Sequence, residues 1–280
     1  MPFRPSGQCS KPLGFAEDLA FVREAPGEDR VSRASYRAMV EIVSISVSGD
    51  AHEAALAVPD EDNPPFPGVV VIHDITGFSA DLRRHCQRFA DAGYVALGPD
   101  LYRGGRPACV VKTMISASKG RGFAYDVIDA ARTVLASRAD VDPDRIGVVG
   151  FCLGGGFALI AGADQRFAVA APFYGGVPYR ASRLEGLCPT IAQYGAEDTP
   201  FLSHAHRLLK HLEELGVDHE VHIYDEAGHS FMNQLPRAAT VVGRHLPIRA
   251  RYEPEIEEKA WGKLLDFFER HIGSGRGASA

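Results

Sequence analysis

Cys152 sits in the pentapeptide Gly150-Phe151-Cys152-Leu153-Gly154, after the apolar run Ile146-Gly147-Val148-Val149 and before the small and apolar stretch Gly155 to Ala163. Strand, sharp turn and helix in that order form the setting of a nucleophile elbow, with Cys where Ser is more usual. Glycines two residues to either side suit a strained turn that leaves no room for neighbouring Cβ atoms. Such a turn lifts the side chain above the sheet end and aims the N-terminus of the next helix at a developing oxyanion. The same helix end favours the thiolate, the nucleophilic form of Cys. The plain alternative is a Gly-rich turn holding a buried structural Cys.

A Cys nucleophile needs a base, and the base needs an orienting acid. After the apolar run Thr190 to Tyr194 comes Gly195-Ala196-Glu197-Asp198. An acid there stands at the same sheet edge as the elbow. Asp198 is the first choice and Glu197 the second; either is otherwise an N-cap for a helix starting near Pro200. After the following run comes Glu226-Ala227-Gly228-His229-Ser230-Phe231. His229 completes the order nucleophile, acid, base. His204, His206, His211, His219 and His222 read as surface or structural residues. His204 and His206, two apart on a helix, do not share a face, so no metal site is expected. The elbow glycines do not form G-x-G-x-x-G, and no cofactor is expected.

These residues need a scaffold. Glu41 to Val47 alternates as a strand, Ser48-Gly49-Asp50 turns, and Ala54 to Val58 returns as a second strand, an antiparallel hairpin at a sheet edge. Val69 to His73 is an unbroken apolar run, the mark of a buried strand. Tyr94 to Leu97, the elbow strand, Val169 to Phe173, Thr190 to Tyr194 and Glu220 to Tyr224 supply the rest. Helices are expected at Asp81 to Ala92, Tyr125 to Ser137, Pro200 to Leu215 and Glu255 to His271. Residues 103 to 121, rich in Gly, Lys and Arg, read as a loop or a short helix. Strands alternating with helices after a hairpin imply a mostly parallel, doubly wound α/β sheet with helices on both faces. Residues 1–40 read as an irregular extension, 41–272 as one domain, and 273–280 as a disordered tail.

The chain has 280 residues, is 45% hydrophobic, and carries a net charge of −6 without a basic block. Nucleic-acid binding is therefore not expected. No apolar run approaches the roughly 20 residues of a membrane span. Met1 to Ala20 lacks the apolar stretch of a signal peptide. Five scattered cysteines without metal spacing suit reduced thiols in a cytoplasmic protein. The chain is expected to be a monomer or a homodimer.

Taken together, Gly150-Phe-Cys-Leu-Gly-Gly, Pro99-Asp-Leu-Tyr, Gly195-x-x-Asp198 and Ala227-Gly-His-Ser-Phe231 resemble the dienelactone hydrolase (carboxymethylenebutenolidase) family of α/β-hydrolases. The similarity covers roughly residues 41–272. It implies that fold, and a triad of Cys152, His229 and Asp198 acting on an ester or lactone through a thioester acyl-enzyme. It implies an oxyanion hole from the backbone N–H groups of Leu153 and Ile75. The family places Glu at the position of Asp74, where it takes part in activating the thiol; Asp is one methylene shorter, and could equally be a turn residue. The family holds the substrate carboxylate with arginines, one of them four residues after the catalytic His. That position is Asn233 here, which gives up charge-assisted pairing. Arg103 and Arg106, with Phe231 and Asn233, are the substrate-binding candidates, although Arg103, Arg106, Lys112 and Arg121 also read as a solvated loop. Residues 232–252 are long for a final loop and read as a possible lid. The alternatives are a broad-range carboxylesterase or thioesterase with a changed pocket, a non-catalytic binding member of the fold, or a redox-sensing thiol with Cys188 as its partner.

Overall fold

The computed structural model describes residues 40–61, 63–164, 166–234, 241, 243 and 245–273. The irregular extension expected at 1–40 lies outside these but for its last residue, the tail expected at 273–280 lies outside them but for its first, and residues 235–240, 242 and 244 of the expected lid lie outside them as well. The described residues all fall within one compact unit, Tyr36–Ala280.

An eight-stranded sheet has the order β1-β2-β4-β3-β5-β6-β7-β8. Its strands are β1 (Glu41–Val47), β2 (Asp50–Ala57), β3 (Phe66–Ile72), β4 (Val95–Pro99), β5 (Val141–Phe151), β6 (Val169–Phe173), β7 (Thr190–Gly195) and β8 (His219–Tyr224). The expected hairpin is β1–β2, paired antiparallel, and β2 also runs antiparallel to β4. All other pairings are parallel. Residues of β3 to β7 are nearly all buried, as a sheet covered on both faces requires.

Among the described residues the helices are α1 (Ala80–Asp91), α2 (Pro107–Lys119), α3 (Phe123–Ala136), α4 (Leu153–Asp164), α5 (Thr199–Leu215) and α6 (Pro254–Ile272). Side chains alternate along β5, which shows how the layers divide. A Cβ on Gly147 would meet Phe268 of α6, whereas one on Gly150 would meet the first turn of α4. Phe151, on the Gly147 face, stacks on His85 of α1 at 4.2 Å. So α1 and α6 share one face and α4 covers the other. α1 and α6 are clasped by Arg84 and Arg88, both paired with the buried Glu257.

Within the segment expected as a loop or a short helix, residues 107–119 form a helix. Pro107 opens it, the Thr113 hydroxyl donates to the Leu101 carbonyl at 2.9 Å, and Gly120 closes it at φ 63°. The Thr113 contact ties the helix to the loop after β4. Among the described residues no helix is long and apolar enough to cross a membrane.

Candidate active site

The elbow is built as its glycines demand. Cys152 has φ 54°, a left-handed conformation that a side chain seldom adopts. A Cβ on Gly150 would lie 2.0 Å from the Gly154 carbonyl oxygen, and one on Gly154 would lie 2.5 Å from those of Ile72 and His73. The turn thus packs backbone to backbone against the end of β3. The Cys152 N–H donates to the Phe173 carbonyl at 3.0 Å, which ties the elbow to β6 as well. Leu153 begins α4, so its N–H belongs to the first turn, where helical donors lack internal partners.

Asp198 follows β7 and is fully buried; its Oδ2 accepts from His229 Nδ1 at 2.6 Å. It sits at the start of α5 but its side chain makes no cap hydrogen bond. Glu197 is exposed and pairs with Arg251 at 2.7 Å. Of the two acids, only Asp198 meets the imidazole.

His229 follows β8. Its backbone is strapped in place by His229 N–H to the Ile248 carbonyl, 2.8 Å, and by Arg251 N–H to the His229 carbonyl, 3.0 Å. The ring is 5% exposed and lies between Phe201 at 4.7 Å and Tyr174 at 4.9 Å. With Nδ1 on Asp198, the ring also feels the Cys152 sulfur, which favours its charged form. Burial pulls the imidazolium pKa down, but the Asp198 hydrogen bond and the Cys152 contact outweigh it and lift the value to about 9. Cys152, His229 and Asp198, far apart in sequence, are contiguous in space.

Ile75 and Leu153 line one cavity with Cys152. Asp74, by contrast, does not. Its carboxylate accepts from the Thr76 N–H at 2.8 Å and from the Thr76 hydroxyl, closing the turn that presents Ile75. These contacts are those of a turn residue. His73, which sequence reasoning passed over, locks the same turn. Its Nδ1 donates to the Asp74 carbonyl at 2.6 Å and its Nε2 accepts from Leu101 N–H at 3.2 Å. Burial holds this imidazole below its ordinary pKa, so it stays neutral and can accept. The Asp100 carboxylate receives the N–H groups of Tyr102 and Gly104, which accounts for Asp in Pro99-Asp-Leu-Tyr.

The four substrate-binding candidates lie elsewhere. Phe231 is fully buried against Phe173, Tyr174 and Tyr224. Asn233 is buried, accepting from the Tyr174 hydroxyl and donating to Asp81 at 2.7 Å. Its amide therefore serves the wall behind His229. Arg103 pairs with Asp50 at 2.9 Å, and Arg106 is exposed at the start of α2. None of them lines the cavity. The cationic residues that do are Arg180 and Arg183, with His204 beside them. They follow β6 in a segment without periodicity, so no sequence signal marked them. The cavity holds about 710 Å³, and much of its wall is apolar, with Tyr125, Phe157 and Ile160.

The sheet order and the strand-to-helix elbow define the chain as an α/β-hydrolase fold. Solved structures agree: a dienelactone hydrolase-like promiscuous phosphotriesterase from metagenomic libraries superposes with TM-score 0.71 at 22% identity, over 84% of this chain and 99% of that one. A dienelactone hydrolase from Anabaena variabilis gives TM-score 0.63 at 19% identity, over 85% and 100%. The family model for dienelactone hydrolases matches residues 53–272, and the chain belongs to that family, whose members hydrolyse ester and lactone bonds. Among sequence relatives, a Yersinia pestis protein provisionally named a carboxymethylenebutenolidase is 28% identical over 81% of this chain and 87% of its own. A Bradyrhizobium protein provisionally named a 2-oxo-3-(5-oxofuran-2-ylidene)propanoate lactonase is 28% identical over 82% and 94%.

Proposed function

We propose that this hydrolase cleaves an ester or lactone through a Cys152–His229–Asp198 triad and a thioester acyl-enzyme. The observation that carries the reading is the His229 Nδ1–Asp198 Oδ2 bond of 2.6 Å, with Cys152 acting on the same ring and lining the cavity.

Asp198 fixes the imidazole so that its free edge faces sulfur. The Cys152 proton moves to His229, and the raised imidazolium pKa favours the resulting ion pair. The thiolate attacks the carbonyl carbon. The new C–S bond forms as the carbonyl electron pair moves to oxygen, which the N–H groups of Leu153 and Ile75 receive. Collapse of that intermediate breaks the C–O bond, and the imidazolium returns its proton to the leaving oxygen. Water, deprotonated by His229, then cleaves the thioester and regenerates the thiol. Thiolate is a good leaving group, so forward collapse is easiest when the departing oxygen is an enolate, as in an unsaturated lactone. The names of the carboxymethylenebutenolidase and lactonase relatives point to the same substrate class.

A substrate carboxylate would be met by Arg180 and Arg183 rather than by the residues sequence reasoning selected. Arg183 already donates to the Lys119 carbonyl at 3.0 Å and so is partly positioned. A broader carboxylesterase range is the second reading, favoured by a cavity of about 710 Å³ with an apolar wall. A cytoplasmic setting, where thiols stay reduced, suits five scattered cysteines without metal spacing.

The test is steady-state hydrolysis of a dienelactone and p-nitrophenyl esters by wild type and Cys152→Ala, with mass spectrometry of the acylated protein. Loss of about three orders of magnitude in Cys152→Ala and an acyl adduct on Cys152 are expected. Equal rates in both proteins would refute the triad.

A further inference from the structure

One wall of the cavity is built by the chain between β6 and β7 and by the first turns of α5. Phe201 and His204, three residues apart on α5, share a face and both line the cavity. Their ring centroids lie 5.3 Å apart with the planes tilted by 30°, and Phe201 in turn touches His229. His204 thus stands one ring away from the catalytic imidazole.

Its protonation is set by a backbone contact. The Val177 N–H donates to His204 Nδ1 at 2.8 Å. A backbone N–H only donates, so Nδ1 offers its lone pair and the proton of the neutral ring sits on Nε2. Burial and the nearby Arg207 both hold this imidazole below its ordinary pKa, so the neutral form prevails. Among the described residues Nε2 has no hydrogen-bond partner, and it is not one of the sealed, unpaired buried atoms either. An accessible N–H donor of fixed tautomer is therefore left on a ring that lines the cavity.

We propose that His204 is a specificity-determining residue whose Nε2–H binds a second acceptor oxygen of the substrate, a carbonyl or carboxylate several atoms from the scissile bond. This rests on the ester-hydrolase reading. Water satisfies the donor when the cavity is empty. An alkyl chain entering beside it displaces that water and strands the donor, whereas a carbonyl or carboxylate oxygen replaces the lost hydrogen bond. The preferred substrates are oxo-acyl or half-acid esters and lactones rather than simple alkanoyl esters.

The experiment compares kcat/KM for p-nitrophenyl pentanoate and hexanoate with their 4-oxo and 5-oxo counterparts. Wild type is expected to favour at least one oxo ester over its alkyl partner by roughly 5- to 20-fold. In His204→Phe that ratio should fall to near one, and His204→Gln, which keeps an N–H donor, should retain most of it. His206→Phe, on the same helix but exposed and outside the cavity, should leave the ratio as it is. Should His204→Phe not fold, His204→Leu carries the same comparison. No preference in wild type, or an unchanged ratio in the His204 variant because both esters lose equally, would overturn the proposal and assign His204 to packing on Phe201. Nitrogen NMR of wild type adds an independent arm: a proton on Nδ1 of His204 would overturn it as well. Failure of the hydrolase reading looks different, since wild type would then turn over none of the esters and Cys152→Ala would match it.

Discussion

Replacing Asp198 by Asn tests the electrostatics of the site most directly. The imidazolium of His229 is lifted from 6.5 to about 9 although burial works against it. At about 1.4 kcal/mol per pH unit, that rise is worth ~3 kcal/mol in favour of the charged ring, shared between Asp198 and Cys152. Asn removes the carboxylate and leaves burial in place, so the value should drop toward or below 6.5. The amide also donates to Nδ1, which moves the proton to Nε2 and turns a donor toward sulfur. A raised His pKa stabilises the fold fully below about 6.5, and that share is lost as pH rises toward 9. The wild type should therefore lose stability between those limits, and Asp198→Asn should not show this loss. The assay is an NMR titration of the His229 ring beside kcat/KM. In wild type the ring should titrate near 9; in Asp198→Asn it should titrate toward or below 6.5, and kcat/KM should fall by roughly two to four orders of magnitude. A His229 titration and a rate unchanged by Asp198→Asn would refute the reasoning.

Other perturbations follow from the same contacts. Gly154→Ala puts a methyl 2.5 Å from two backbone carbonyls, where nothing flexible can yield; thermal denaturation should show a loss of ~2 kcal/mol or more. Asn233→Leu strands the Tyr174 hydroxyl and leaves Asp81 Oδ2 with His85 alone, so denaturant midpoints should report a cost of roughly 1–3 kcal/mol. His73 has a depressed pKa, so protonating it breaks its acceptance from Leu101; stability should fall as pH drops below about 6.5, and His73→Gln should flatten that slope in urea titrations at pH 5 and 7. Arg180→Ala should raise KM for a carboxylate-bearing lactone several-fold while leaving p-nitrophenyl acetate unaffected; an equal change for both would remove Arg180 from substrate binding.

The parts of this protein that were legible in the sequence are those governed by local backbone rules. Gly150 and Gly154 announced an elbow because only glycine survives where two chain segments touch. The buried strands showed as apolar runs because both faces of a parallel sheet exclude water, and the acid and base showed because strand ends bring loops to one edge. Tertiary structure decided what those loops do with their side chains. Asp74 was spent on Thr76, Asn233 on Tyr174 and Asp81, and Arg103 on Asp50, each by a partner that spacing does not reveal. The choice between Glu197 and Asp198 turned on which carboxylate points inward. Arg180, Arg183 and His204 entered the cavity wall from a segment with no period and from a helix face whose neighbours are set by packing. Which donor is left unpaired is a property of every contact around it, and no stretch of sequence holds that information by itself.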